Sequence, residues 1–318
     1  MREAEHYELV IYAHDSGRDG YMNRSLLIST GIGCGVLCSY CPQVAIGQAY
    51  KKVQGPSSMS LETFKSCIEK LPDDVTVDFT GFYEPFLNPH CTDMILYAVG
   101  RGLPVRLSTT LMGLDPEQID RFEHIPFVKF AVHLPDTKKL TRIIVDERYM
   151  AALSRLTEAN IRNIGFHVHE GLDGPEAVHE EVDALLVARD IEPENRWINT
   201  RAGNIEIDAK RAPERLVGEL EICPRIYHNV LLPSGDVALC CMDWDLKHMI
   251  GNLLETSYES LFESPQFRTV MRGQLDDSID ILCRGCEIAR TKKETLFRRM
   301  LSNIKAKRTV SSPSEQIA

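Results

Sequence analysis

Between Leu26 and about residue 205, short runs dense in β-branched and aromatic residues alternate with segments whose apolar residues recur every three or four positions. A strand shows its side chains to alternate faces and a helix shows one stripe, so this change of period predicts strands and helices in succession. The predicted strands are 26–30 (LLIST), 75–80 (VTVDFT), 104–109 (PVRLST), 127–133 (FVKFAVH), 162–169 (RNIGFHVH) and 196–201 (RWINTR). The clearest helix starts at Ser60, whose hydroxyl can accept from the free N–H groups of a first turn. It continues through Leu61, Phe64, Ile68 and Leu71 on one stripe and stops at Pro72. Further helices are predicted near 92–99, 116–123, 147–159 and 175–188, the last with Pro175 in its first turn. Strand and helix in succession build a parallel sheet wrapped by helices. Six such units are two short of a full eightfold barrel, so the α/β region 26–205 is expected to form a partial (β/α)6 barrel. Its chemistry should gather at the carboxyl ends of the strands.

After about residue 205 the alternation stops. The segment HNVLLPSGDVALCC reads as two strands joined by a Pro233-Ser234-Gly235-Asp236 turn, and Ser264 followed by Pro265 opens a short helix. A separate small α+β domain is therefore expected over 206–290. An N-terminal extension (1–25) and a locally basic helix with a disordered Ser/Pro tail (291–318) complete the division.

Composition narrows the setting. A chain of 318 residues with 43% hydrophobic and 26% charged content can bury a sizeable core. Met1 to Asp15 lacks the apolar run of a signal peptide, and no segment approaches a membrane span, so a cytoplasmic location with no membrane partner is expected. The net charge of −10 argues against a nucleic-acid partner. Ten cysteines in a chain read as cytoplasmic point to free thiols, and their spacing points to metal.

Cys34-x3-Cys38-x2-Cys41 places three thiolates on one loop just after the first strand. Three thiolates can hold three irons of a cubane and leave the fourth iron open, whereas ferredoxins supply a nearby fourth cysteine. A zinc site or buried free thiols are the bland alternatives. A second group comprises Cys223, Cys240 five residues after Gly235, and the close pair Cys283 and Cys286. On chemistry alone, four such thiols favour zinc. Cys241 is an alternative to Cys240, since neighbours on a strand face opposite ways. His133, Asp136, His167, His169, Glu170 and Arg201 lie at or just past predicted strand ends, where they could move a proton or bind a substrate. Cys91, in a loop, could donate a hydrogen atom, while Cys67 shares the apolar stripe of its helix.

With Tyr40 as its aromatic position, the triplet resembles the CxxxCx(aromatic)C signature of the radical S-adenosylmethionine (SAM) superfamily. FTGFYEP is similar to that family's glycine-glycine-glutamate-proline segment: Gly81 and Glu84 match, and Phe82 and Tyr83 stand where further glycines are common. The resemblance implies a 4Fe-4S cluster whose open iron chelates SAM, and reductive cleavage of SAM to methionine and a 5'-deoxyadenosyl radical. It implies that Glu84 accepts from the ammonium of SAM and that Ser108, Thr109 and Thr110 lie near its ribose. The second cysteine group resembles the SPASM/Twitch class, in which a C-terminal domain holds an auxiliary 4Fe-4S cluster. With five cysteines in that region, a single-cluster, Twitch-like version is expected, passing electrons rather than binding substrate. The resemblance further implies flavodoxin or ferredoxin as electron donor. The reaction expected is dehydrogenation of a small molecule such as a sugar or cyclitol, because the roughly 25 residues before the first strand are short for a peptide-leader module. Peptide modification and redox-neutral epimerisation are the alternatives, and a zinc or iron-sulfur scaffold is the non-enzyme reading.

Overall fold

A computed structural model describes residues 24–171, 174–206 and 214–295. The expected N-terminal extension and the basic tail lie almost wholly outside the described residues. In chain order the strands are β1 (Ser25–Ile28), β2 (Thr76–Phe79), β3 (Val105–Thr109), β4 (Lys129–His133), β5 (Ile164–Gly171), β6 (Gly174–Pro175), β7 (Glu194–Arg196), β8 (His228–Leu231), β9 (Asp236–Ala238) and β10 (Met249–Asn252). The helices are α1 (Gln43–Val53), α2 (Leu61–Ile68), α3 (Cys91–Gly100), α4 (Pro116–Phe122), α5 (Glu147–Glu158), α6 (Glu180–Ala188) and α7 (Pro265–Leu275). All ten strands join one sheet in the order β10-β9-β8-β1-β2-β3-β4-β5-β6, with β7 also paired to β5. The six strands β1 to β5 and β7 run parallel, as the six expected β/α units require.

Register separates two faces. Leu26, Ile28, Val77, Phe79, Val105, Leu107, Phe130 and Val132 are buried in the main core under the helices. Phe122, Phe127 and Phe130 meet there with ring centroids 5.2 to 6.3 Å apart. Full burial of each such ring contributes roughly 2–3 kcal/mol. The alternate residues share the concave face, where Asp78 lies opposite Arg106, Arg106 opposite Lys129, Ser108 opposite Ala131, and His133 opposite His167. That face is polar because it lines the barrel interior rather than the core. Local signals act as expected at the helix starts: Ser60 Oγ accepts from Thr63 N–H at 3.0 Å, and Ser264 Oγ accepts from Phe267 N–H at 3.2 Å.

Several elements depart from expectation. The strand expected at 196–201 ends at Arg196, and the chain then turns. The carboxylate of Glu287 accepts from the N–H and hydroxyl of Thr200 and from Ala202 N–H, and Arg201 and Ala202 take positive φ of 54° and 55°. The helix expected at 175–188 opens only at Glu180. Pro175 sits instead in the edge strand β6, where its missing N–H is tolerated, and residues 177–179 bond to 135–137. Helix α1 was not signalled, since Pro42 at its cap position supplies no side-chain acceptor. The hairpin forms round the expected turn, with Gly235 at φ 86°. Its first strand, however, runs parallel to β1 over four residue pairs, Ser25 with His228 to Ile28 with Leu231. The strands that follow residue 205 therefore extend the barrel sheet instead of building a sheet of their own. Among the described residues, no helix is long and apolar enough to cross a membrane.

Candidate functional site

The loop from Ser29 to Pro42 leaves the carboxyl end of β1 and carries the cysteine triplet. Ile32, Cys34 and Ser39 tie it down. Ile32 N–H donates to Ser57 O at 2.8 Å, and both N–H and Oγ of Ser39 donate to Leu140 O at 2.9 and 3.2 Å. Cys34 N–H donates to Gln43 Oε1 at 3.1 Å, and Gln43 Nε2 donates to Phe82 O at 3.0 Å. Gln43, which nothing in the sequence marked, thus couples the cysteine loop to the FTGFYEP loop. Cys34 and Cys38 are buried and Cys41 is half-buried, all three lining a cavity of about 130 Å³. A hydrogen bond with Cys41, outweighing burial, brings the Cys38 thiol down to about 7, while that bond and burial push Cys41 well up. A set of three close thiols, one ready to ionise near neutral pH, suits an iron-sulfur cluster.

The same cavity is lined by Tyr40, Gly81, Glu84, Ser108, Thr109, Thr110, His133, His169 and Arg201. Gly81 takes φ 126°, which a side chain rarely adopts. The ring of Tyr83 packs over Gly31, where an added Cβ would meet it at 2.8 Å. Phe82 meets Trp244 edge to face at 4.7 Å, pinning the loop to the C-terminal region. The two departures from glycine at 82 and 83 are therefore packing anchors. Glu84 is buried and accepts from Thr109 Oγ1 (2.6 Å), Thr110 N–H (2.6 Å), Thr110 Oγ1 (2.7 Å) and Phe86 N–H (3.2 Å). Burial raises its carboxyl above the ordinary range against the pull of those donors. A carboxylate offers about four acceptor sites, and these four donors fill them.

Of the candidates for proton transfer, the structure brings His133, His169 and Arg201 to the cavity. The rings of His133 and His169 stack at 5.1 Å, and His169 lies 4.2 Å from the Tyr40 ring. Arg201 Nε donates to Tyr40 O at 3.3 Å and its guanidinium sits over the Tyr40 ring. The buried His169 ring makes no side-chain hydrogen bond, and its polar neighbour is the backbone of Arg196 on the adjoining strand. Burial first, and the charge of Arg201 next, hold His169 down at about 4, so its ring is neutral. Asp136, Glu170 and Cys91 are not brought to the cavity. Asp136 instead accepts from Leu140 N–H, Thr141 N–H and Thr141 Oγ1, shaping the loop after β4. Glu170 faces away from His169 by strand alternation, and Cys91 is wholly buried at the start of α3. His167 lies deeper, beside Arg196 at 3.2 Å and Glu194 at 3.4 Å.

A second cavity brings together Cys223, Cys240, Cys241, Cys283 and Cys286, walled by Ile226, Leu239, Met242, Leu282, Ile288 and Ala289. Strand alternation does not separate Cys240 from Cys241, because β9 ends at Ala238 and both residues lie in the turn beyond it. Burial pushes Cys283 up to about 12 and Cys286 to about 11. Thiols so placed ionise only when a metal takes the charge, which fits a metal-sulfur group. Among the described residues no three His, Cys, Asp or Glu side chains are arranged to hold a single metal ion. The thiols surround a space rather than a point.

Residues 28–186 match the radical SAM superfamily, and residues 223–287 match the SPASM iron-sulfur cluster-binding domain. No curated protein sequence matches the chain. Among solved structures, BtrN in complex with AdoMet and 2-DOIA superposes with a TM-score of 0.55 at 15% identity, over 83% of this chain and 92% of that one. Native anSMEcpe with bound AdoMet and Cp18Cys peptide gives 0.53 at 14%, over 83% and 86%. SuiB of Streptococcus suis bound to precursor peptide SuiA gives 0.57 at 10%, over 90% and 74%. At these identities the likeness shows the fold. The radical domain implies a 4Fe-4S cluster and SAM, and the SPASM domain an auxiliary cluster. With a matched radical domain that ends in the parallel barrel and a matched SPASM domain that closes the second thiol cavity, the chain belongs to the radical SAM superfamily.

Proposed function

We propose that the protein dehydrogenates a small hydroxylated molecule, such as a sugar or cyclitol. Cys34, Cys38 and Cys41 hold the first cluster, and Cys223, Cys240, Cys283 and Cys286 hold a single auxiliary one, in a Twitch-like oxidoreductase. The ten free thiols suit a reducing cytoplasm. The observation that carries the reading is the wall opposite the triplet, where Ser108, His133 and a neutral His169 with no side-chain hydrogen bond face the cavity. With SAM bound, the first cluster supplies a radical that removes a hydrogen atom from carbon. Once a carbinol carbon has lost that atom, its hydroxyl must give up a proton and the carbon an electron for a carbonyl to form. The neutral ring of His169 accepts the proton, Arg201 and Tyr40 hold the ring in place, and the electron passes to the C-terminal thiol site. Gly81, Glu84, Ser108 and Thr109 position the cofactor.

A peptide is the second reading, favoured by the bound peptides of the anSMEcpe and SuiB structures. Epimerisation is a third, with the spare thiol of Cys240 and Cys241 as hydrogen donor. The test is anaerobic reconstitution followed by assay with SAM, strong reductant and a panel of polyols and aminocyclitols. Formation of 5'-deoxyadenosine with an equal amount of ketone is expected. Solvent deuterium appearing on product carbon, or turnover of peptides alone, would sink the dehydrogenase reading.

A further inference from the structure

Resting on the reading that Cys283 is a ligand of the auxiliary cluster, we propose that Gln274 is a positioning residue that donates an amide N–H to the Cys283 sulfur and so raises the reduction potential of that cluster. Gln274 is the last residue but one of α7 and is only 2% exposed. Among the described residues, neither end of its amide has a nitrogen or oxygen partner. Its contact is the Cys283 thiol, whose ionised form it favours against the larger effect of burial. A primary amide sealed from water is destabilising unless it finds an acceptor. A neutral thiol accepts weakly, whereas a thiolate on iron carries charge and accepts strongly.

The backbone fixes the place of this side chain. A Cβ at Gly273 would meet Ile281 at 2.5 Å, so that glycine lets α7 close on the turn that carries Cys283 and Cys286. Arg284, between the two cysteines, donates from Nη2 to Gly273 O at 2.6 Å and from Nη1 to Leu216 O and Gly218 O at 3.0 and 2.9 Å. Leu220 N–H donates to Gln274 O at 2.7 Å. Turn and helix end are thus locked together, and the Gln274 amide is left for Cys283. Apart from its thiols and Arg225, the cavity wall is apolar, and in such surroundings a single N–H bond acts strongly. On reduction the cluster gains one electron, lost in turnover by the substrate carbon radical, and no bond to the cluster changes. The added negative charge reaches the ligand sulfurs, where a donated N–H stabilises it.

The test is a redox titration, followed by electron paramagnetic resonance, of the reconstituted chain carrying Cys34→Ala/Cys38→Ala/Cys41→Ala, in which only the second cluster is read. Adding Gln274→Leu is expected to keep about four irons. At a fixed potential it should shift the ratio of reduced to oxidised cluster about tenfold toward oxidised, a fall in midpoint of about 59 mV for one electron. Loosened packing alone would admit water, which favours the more highly charged reduced cluster and moves the potential up. An unchanged or raised potential therefore overturns the proposal. If Gln274→Leu loses the iron, Gln274→Met, of similar length and without a donor, decides by the same titration. Loss of iron there too would make Gln274 a structural support and overturn the tuning role. No iron in the triple-alanine parent would instead overturn the auxiliary-cluster reading itself.

Discussion

The two thiol cavities are built on opposite principles. The first draws three cysteines from eight consecutive residues of one loop and faces a wall of Ser108, His133, His169 and Arg201. The second gathers five cysteines from three segments spread over some sixty residues and is walled by apolar side chains and Arg225. One is polar on its open side, and within it Cys38 is brought down to about 7 by its bond with Cys41 while Cys34 and Cys41 are pushed up. The other is apolar, with thiols pushed to about 11 and 12 by burial. The first cavity thus offers polar groups on its open side, whereas the second offers almost only apolar walls. The second also ties the chain's end to the barrel, through β8 on β1 and Phe82 on Trp244.

Replacing Cys34, Cys38 and Cys41 together by Ala gives the largest expected effect. The reconstituted protein should drop from about eight irons to about four and lose all SAM cleavage, yet keep a reducible cluster visible by electron paramagnetic resonance. Replacing Cys283 and Cys286 should remove the other half of the iron and leave SAM cleavage without substrate oxidation. Loss of all iron in the first variant would mean that the second site holds no cluster of its own, and the contrast drawn above would collapse.

Much of the first region was legible in advance because its information is local. Strand alternation placed β1 to β5 within a few residues, and the triplet and FTGFYEP mark their loops by spacing alone. What escaped depends on distant partners. The strand expected at 196–201 is undone by Glu287, some ninety residues on. Gln43 joins two loops through bonds that no spacing announces. The joining of β8 to β1 is a pairing across two hundred residues, invisible to any local period. Asp136, Glu170 and Cys91 resembled site residues because they border strands or sit in loops, but Asp136 shapes its loop, Glu170 lies on the outer face and Cys91 in the core.

A smaller effect separates Cys240 from Cys241. Both are half-buried, but Cys240 packs on the main core, while Cys241 packs with Cys41 against the cluster of Phe82 and Trp244. Cys240→Ala is therefore expected to cost the auxiliary cluster. Cys241→Ala should retain about four irons there and change only the reduction potential. If Cys241→Ala loses the iron and Cys240→Ala keeps it, the ligand set must be rewritten and the Gly235 spacing carries no weight.

The smallest effect concerns the histidines beside each cavity. His248 supports the second site: Leu282 N–H donates to its Nε2 at 3.0 Å, and Gln266 lies 2.6 Å from Nδ1. Because Nε2 accepts, the neutral ring carries its proton on Nδ1, and the Gln266 amide, whose Nε2 faces Nδ1 in the structure, accepts there once turned end for end. His169 has no such side-chain partner, only the Arg196 backbone beside it. Burial, as the first cause, holds both at about 4, against about 6.5 in an unfolded chain. The unfolded form therefore binds more protons between these values. The contribution of each ring is fully present above about pH 6.5 and is lost as pH falls through about 4. Asp78 and Asp243, raised to about 6 by burial, act in the opposite sense, since their folded carboxyls take up protons first. The informative quantity is thus the difference between variant and parent. At pH 7, His248→Gln should cost roughly 1–3 kcal/mol, as it breaks two part-buried hydrogen bonds, whereas His169→Gln, which loses no side-chain bond, should cost less. Each substitution should make the fall in stability from pH 6 to pH 4.5 shallower by at most about 1 kcal/mol per pH unit, read from denaturant midpoints. Equal losses at pH 7 would show that His169 is held by contacts like those of His248. The cavity wall beside the triplet would then be a structural support, and its ring would not be a base waiting for a substrate proton.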